Sequence, residues 1–153
     1  NESRRAKAES IGLKPIEVST LASIVEEEAM YADEYPIVAG LYLNRLKRGQ
    51  RLEADPTVKF ALQDFGLRRI LYVHLEVESP YNTYKNDGLP PGPIRIPSIK
   101  GIDATLSPAN HNYIFMCAKD DLSGRHNFST THAQHIRNAR KYQEALNRLK
   151  IYK

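Results

Sequence analysis

The sequence has only one cysteine and no long hydrophobic stretch. Cys117 has no partner within the chain, which excludes an intrachain disulfide and leaves the redox compartment open. A membrane-spanning helix needs about 20 predominantly apolar residues in succession. No such run occurs, and neither a signal-peptide pattern nor an internal repeat is apparent. We expect this polypeptide to be soluble as it stands.

The composition is typical of one globular domain. The chain has 153 residues, of which 41% are hydrophobic and 26% charged, and we expect a single domain over residues 1–153. Residues 1–18 resemble a charged lead-in helix or linker without an initiator methionine, which suggests a longer parent protein. The net charge of +4 suits a polyanionic partner, such as an acidic cell-wall glycan, nucleic acid or an anionic membrane surface.

The first amphipathic helix carries an unusual carboxylate. Pro15 is typical of a first helical position, and apolar residues then recur with helical spacing to about residue 30 or 31. Four residues share one face, namely Leu21, Ile24, Val25 and Glu28. At about 100° per residue, Glu26 and Glu27 point away from this face, so Glu28 alone of the three glutamates lies in the apolar stripe.

The remaining pattern predicts an α+β fold that is mainly helical, with a small antiparallel hairpin and a Pro-rich ordered loop. An apolar strand over 113–118, a polar turn and a second strand around 125–128 predict the hairpin. Five prolines between residues 79 and 97 forbid long regular structure there. The other predicted helices cover residues 36–49, 55–66, 98–106 and 131–149. The last of these is expected to carry Ile136, Ala139, Tyr142 or Gln143, Leu146 and Leu149 on its inward side.

The position of Glu28 predicts a general acid. Desolvation on an apolar face and the two neighbouring carboxylates would both disfavour its charged form and raise its pKa. A rise from about 4.3 to about 6 requires on the order of 2 kcal/mol, which burial among aliphatic side chains supplies. The alternative is that residues 26–28 form a solvated acidic face, or that Glu28 forms a buried ion pair with Arg45 or Arg51.

Several motifs, in this order, resemble the YceG-like endolytic murein transglycosylases. They are LASIVEEE (21–28), LNRL (43–46), LEADPTV (52–58), YNTY (81–84) and GLPPGPI (88–94), followed by SPA (107–109), HNF (126–128) and the helix around His135. The resemblance extends from about residue 19 to the C-terminus. It implies that the catalytic glutamate, the second of a Glu-x-Glu pair, is Glu28.

The resemblance also implies a mechanism. Such an enzyme cleaves the bond between N-acetylmuramic acid and N-acetylglucosamine within glycan strands, as the muramyl C6 hydroxyl attacks its own anomeric carbon to leave a 1,6-anhydro end. Glu28 would act first as acid and then as base. The closest rival is a hydrolytic muramidase, which needs a second carboxylate about 5 to 9.5 Å away, and Asp55 is the candidate.

We expect other polar and aromatic residues to bind the glycan. Asp55 is interpreted mainly as a helix cap, with Pro56 at the first helical position, and otherwise as a glycan contact. His126 is expected to hydrogen-bond glycan or Glu28, or else to be a satisfied strand-end histidine. Pro91 belongs to a rigid groove wall. Neutral hydrogen-bonding groups and stacking rings are offered by Asn44, Thr57, Tyr81, Asn82, Thr83 and Tyr84, each of which could instead fix a turn.

The expected partners follow from the resemblance. They are peptidoglycan glycan strands and, by extension, peptidoglycan synthases, with no nucleic acid and no cofactor or metal. The resemblance implies a single-pass inner-membrane protein whose catalytic domain is extracytoplasmic, so contact with the membrane would run only through a segment outside this chain.

Two other classes of function, a metal hydrolase and a non-enzymatic binding module, are alternatives for this sequence. A metal hydrolase could use His126 with His132 and His135, which are spaced i, i+3 on a helix, but only Asp120 or Asp121 lies nearby to complete the ligands and their supporting shell. A non-enzymatic module could bind anionic polymers through the basic face of the last helix, although such faces are usually only solvated. The residues concerned are Arg137, Arg140, Lys141, Arg148 and Lys150.

Overall fold

The computed structural model describes residues 1–63 and 70–151. Its helices are α1 (Glu2–Ser10), α2 (Pro15–Glu28), α3 (Tyr35–Lys47), α4 (Asp55–Leu62), α5 (Ile99–Leu106) and α6 (His132–Ile151), and its strands are β1 (Phe115–Ala118) and β2 (His126–Ser129). This arrangement confirms the predicted α+β class. The predicted continuation of α4 is wrong, because the helix ends at Leu62 and Gln63 has a left-handed backbone conformation; the predicted end at Gly66 lies outside the described residues. Among the described helices, none has both the length and the apolar character needed to cross a membrane.

Helix α2 is the central element of the fold. Pro15 occupies its first turn, and the Glu17 carboxylate accepts a hydrogen bond from the Lys14 backbone N–H at 2.9 Å, so the helix start is well capped. The helix packs against α1, α3, α4 and α5. Its Leu21, Ile24 and Val25 side chains are fully buried in the main core, with side chains of α3 and of the segment after it. The position of Glu28 at the end of α2 is therefore fixed by packing on several sides.

Strands β1 and β2 form a two-stranded antiparallel sheet, in which Phe115 pairs with Ser129 and Ala118 with His126. This confirms the predicted hairpin. Helix α6 packs against both strands, and its predicted inward face is correct only in part. Ala139, Tyr142 and Leu146 are partly buried, but Ile136 and Leu149 are each 42% exposed. The buried positions of α6 are Asn138 and Ala145.

Residues 79–97 contain no helix or strand, as the prolines predict, and are held by specific contacts. The Asn82 amide donates to the carbonyl oxygens of Leu75 and Val77 at 2.9 and 2.8 Å. The Ile94 backbone N–H donates to the Ser23 hydroxyl at 3.0 Å, which ties the far end of the segment to α2. The loop is therefore ordered by buried hydrogen bonds as well as by proline.

Candidate active site

An open cavity of about 590 Å³ lies where α2 ends, bordered by α3, α4 and the hairpin. Its volume is within the usual range for small-molecule sites, about 300–1,000 Å³. Its lining includes Glu28, Tyr42, Asp55, Lys59, Tyr84 and His126. Four of the residues predicted from the sequence, Glu28, Asp55, Tyr84 and His126, are thus brought together at one site.

Glu28 is the last residue of α2 and is half-buried in the cavity wall. Burial raises the pKa of its carboxyl group to about 7, reinforced by the negative charge of Asp55. The hydrogen bond that it accepts from the Tyr42 hydroxyl at 3.0 Å lowers the pKa, as do the charges of Lys59 and Arg45. Glu28 is consequently poised to give and take a proton near neutral pH.

Glu26 and Glu27, expected to raise the pKa of Glu28, are not among the causes of its shift. Glu26 is itself buried, where its carboxylate accepts hydrogen bonds from the backbone and side chain of Ser98, and Arg95 lies 3.6 Å away. Glu27 is exposed and pairs with Arg95 at 3.1 Å. Because the Pro-rich loop and α5 cover a second face of α2, a single apolar stripe does not describe this helix.

The alternative ion pairs of Glu28 are also wrong. The Arg45 guanidinium donates to the carbonyl oxygens of Ile114 at 2.7 Å and Leu52 at 3.0 Å, and its nearest carboxylate among the described residues is Glu53 at 3.7 Å. Arg51 pairs instead with an aspartate of the Pro-rich loop. Arg45 therefore acts on Glu28 only through its charge.

Asp55 does not cap α4, contrary to the prediction. The cap residue is Ala54, and Asp55 occupies the first turn. The Asp55 carboxylate instead accepts a hydrogen bond of 2.5 Å from the Tyr84 hydroxyl. Burial and the carboxylate of Asp55 both raise the pKa of Tyr84, so its hydroxyl stays protonated and remains a donor. Asp55 is thus one of three further acidic residues, with Glu27 and Glu53, that line the cavity containing Glu28.

Four other predicted residues hold the walls together. The Asn44 amide donates to the carbonyl oxygens of His111 and Tyr113 at 2.9 and 3.0 Å. Thr57 and Thr83 are buried and lie 2.9 Å apart through their hydroxyls, and Asn82 anchors the segment that follows α4. These four residues contact other protein groups, and none of them is among the described residues that line the 590 Å³ cavity. Their predicted contact with glycan stays a prediction.

Tyr81, Pro91 and His126 differ in their surroundings. The Tyr81 ring packs against Phe60, with ring centroids 4.7 Å apart, and Pro91 is exposed away from the cavity. His126 lines the cavity, but its Nδ1 lies 2.8 Å from the carboxylate of Glu34 rather than bonding to Glu28. The buried Glu34 orients His126 through this bond and through the His126 backbone N–H.

Tyr42 and Lys59 line the cavity but are not among the site residues predicted from the sequence. The helical periodicity of α3 allows either Val38 or Tyr42 at an inward position, and the structure buries both. The position of Tyr42 opposite Glu28 depends on the crossing of two helices, which periodicity does not give. Across residues 1–63 and 70–151, no three His, Cys, Asp or Glu side chains cluster closely enough to hold a metal ion.

A protonatable glutamate in an open cavity, beside other carboxylates and a tyrosine donor, is an arrangement that can perform general acid–base chemistry. The sequence model of the YceG-like family matches residues 1–141 of this chain. The chain belongs to this family.

Two characterised relatives and one solved structure extend the comparison. An endolytic murein transglycosylase of Bacillus subtilis strain 168 is 39% identical over 128 residues, covering 84% of this chain and 35% of the relative. One from Streptococcus pneumoniae serotype 2 strain D39 is 30% identical over 126 residues, covering 80% and 23%. A crystal structure of a protein described as YceG-like, from Listeria monocytogenes, has a TM-score of 0.81 and 35% identity, covering 89% of this chain and 44% of that one. The chain thus spans about a third or less of the named transglycosylases.

Proposed function

We propose that this chain is the catalytic portion of an endolytic peptidoglycan lytic transglycosylase. The observation that carries the proposal is Glu28, whose pKa is raised to about 7 at the wall of an open cavity. A carboxyl group of this kind is partly protonated at neutral pH and can both donate and accept a proton. The names of the two relatives support murein as the substrate.

The reaction requires one carboxyl group used twice. Protonated Glu28 donates its proton to the glycosidic oxygen as the bond from the muramyl anomeric carbon breaks. The Glu28 carboxylate then accepts the proton of the C6 hydroxyl, whose oxygen forms the new bond to the anomeric carbon. No water enters, and Glu28 ends protonated, as it began. The Tyr42 hydroxyl, held 3.0 Å from Oε2, stabilises the carboxylate between these two steps.

A hydrolytic muramidase is the second candidate, because Asp55 lines the same cavity as Glu28. Two carboxylates flanking a glycosidic bond are the usual machinery of glycoside hydrolysis. In that case water would attack the anomeric carbon and the product would keep a reducing end. The hydrogen bond from Tyr84 occupies one Asp55 oxygen, which favours a supporting role for Asp55 and therefore the transglycosylase.

The deciding experiment is mass spectrometry of the products from peptide-free glycan strands. The wild-type chain should yield internal fragments ending in 1,6-anhydro-muramic acid, and Glu28→Gln should yield none. Glu9→Gln is the matched control, since Glu9 is an exposed glutamate of α1 that does not line the cavity of Glu28, and it should retain cleavage. Reducing ends would establish the muramidase, and cleavage by Glu28→Gln would rule out both schemes.

Cellular placement is proposed on the family resemblance alone. We expect the catalytic domain to lie on the outer side of the inner membrane, close to peptidoglycan synthases. The anchor would belong to a part of the protein outside this chain.

A further inference from the structure

A second cavity of about 400 Å³ adjoins the first. It is lined by Asp55, Ile70, Leu71, Tyr72, Leu75 and Tyr84. Asp55 and Tyr84 also line the cavity that contains Glu28. The hydrogen-bonded pair of Asp55 and Tyr84 therefore borders both cavities, which lie next to each other.

The outer wall of this second cavity exposes apolar side chains to solvent. Tyr72 is 90% exposed and Leu71 is 50% exposed. Neighbouring hydrogen bonds fix the segment that carries them. The Leu71 backbone N–H donates to His74 Nδ1 at 2.8 Å, and the buried Asn82 donates to the carbonyl oxygen of Leu75. Large apolar side chains held exposed beside a cavity are typical of a binding surface.

We propose that the second cavity is a glycan subsite, in which Tyr72 stacks on a sugar ring of the strand whose scissile bond lies at Glu28. This inference rests on the proposed function. A pyranose presents an apolar C–H face and a polar edge, which match an aromatic ring with aliphatic neighbours and a carboxylate that accepts hydrogen bonds. Here the ring is Tyr72, the aliphatic neighbours are Leu71 and Leu75, and the carboxylate is Asp55.

The position of the second cavity directly beside the Glu28 cavity favours a glycan over a protein partner. An enzyme that cuts within a polymer must bind sugar units on both sides of the bond, so its binding groove has to extend beyond the acid. The second cavity offers such an extension on the side of Asp55 and Tyr84. Asn82, predicted from the sequence to bind glycan directly, would then contribute by holding the subsite wall in place.

The test measures equilibrium binding of peptide-free glycan strands of graded length to Glu28→Gln protein, which cannot turn them over. Adding Tyr72→Ala should weaken binding of long strands by about 3- to 10-fold, the effect of losing one aromatic contact, and leave short disaccharide units unaffected. Tyr72→Trp should restore long-strand affinity. Val73→Ala and Ile96→Ala are the controls, because these side chains are 72% and 91% exposed and line neither cavity.

Each outcome decides between the two claims. Selective loss with Tyr72→Ala and recovery with Tyr72→Trp would support the subsite. Unchanged long-strand binding with Tyr72→Ala, or an equal loss with Val73→Ala, would overturn the subsite and leave the proposed function intact. Absence of glycan binding by the Glu28→Gln protein itself would overturn the proposed function and the subsite with it.

Discussion

The Tyr42 hydroxyl lies 3.0 Å from Oε2 of Glu28 and joins the middle of α3 to the end of α2. Tyr42 is buried, and burial raises its own pKa well above the usual value, so it remains protonated and donates. The hydrogen bond stabilises the Glu28 carboxylate, whereas burial destabilises it. The balance of these two effects, with the surrounding charges, gives a pKa near 7 rather than a higher one.

The Tyr42→Phe variant tests this balance through the pH profile. The bond favours the charged form of Glu28, so its loss should raise the Glu28 pKa further. Because the first step needs protonated Glu28, the high-pH limb of kcat/KM should move upward by roughly one unit, the equivalent of about 1.4 kcal/mol. Tyr35→Phe, on the same helix but outside the cavity lining, should leave the limb in place. An unmoved limb in Tyr42→Phe would contradict the assigned role.

Asp55→Asn should have the opposite effect. The negative charge of Asp55 raises the pKa of Glu28, so its removal should lower that pKa and move the high-pH limb downward. Asparagine keeps a side-chain oxygen that can accept the Tyr84 hydrogen bond, so the cavity wall should persist. The measurement is kcat/KM against pH with end-group analysis of the products. A loss of activity at every pH, by about 100-fold or more, would instead indicate the muramidase mechanism.

Arg45→Met should destabilise the protein strongly. The Arg45 side chain is only 10% exposed, and its guanidinium satisfies carbonyl oxygens of Ile114 and Leu52 that methionine would leave without this donor. We expect a loss of about 3 kcal/mol in the free energy of unfolding, measured by urea denaturation. Arg51→Met removes a half-exposed guanidinium that pairs with Asp87 and should cost about 1 kcal/mol or less. Equal losses in the two variants would contradict this distinction.

Gly40→Ala should destabilise although it lies within α3. Helix propensity alone would make alanine more favourable by about 0.5–1 kcal/mol. A Cβ at Gly40 would, however, lie 2.6 Å from the backbone oxygen of Ala109 and 2.8 Å from His111 Nε2. The chain after α5 would have to move away, at a cost of about 1–3 kcal/mol. A midpoint of urea denaturation equal to or above that of the wild type would show that this contact can relax.

The helices were predictable because their ends carry local signals. Pro15 fixed the start of α2, and Ser98 caps α5 through a hydrogen bond to the Gly101 backbone N–H. The prediction extended α2 to residue 30 or 31, but the helix ends at Glu28, where no glycine or proline marks the stop. Local sequence signals did not predict the hydrogen bonds of a polar residue whose partner is distant in the sequence. The adjacent Pro56 favours Asp55 as a helix cap, whereas the structure pairs the Asp55 carboxylate with Tyr84.

The sequence by itself determined the local structures and identified Glu28 as the residue whose pKa is expected to shift. Periodicity placed Glu28 on the apolar face of α2, and proline spacing predicted an irregular loop over residues 79–97. Only the tertiary structure decided which groups face Glu28. Tyr42, Asp55 and Lys59 come from α3 and α4, and their influence depends on how these helices cross α2. Local rules act over a few residues along the chain, whereas charge and hydrogen bonding act through space. The pKa of Glu28 is therefore set by the tertiary packing.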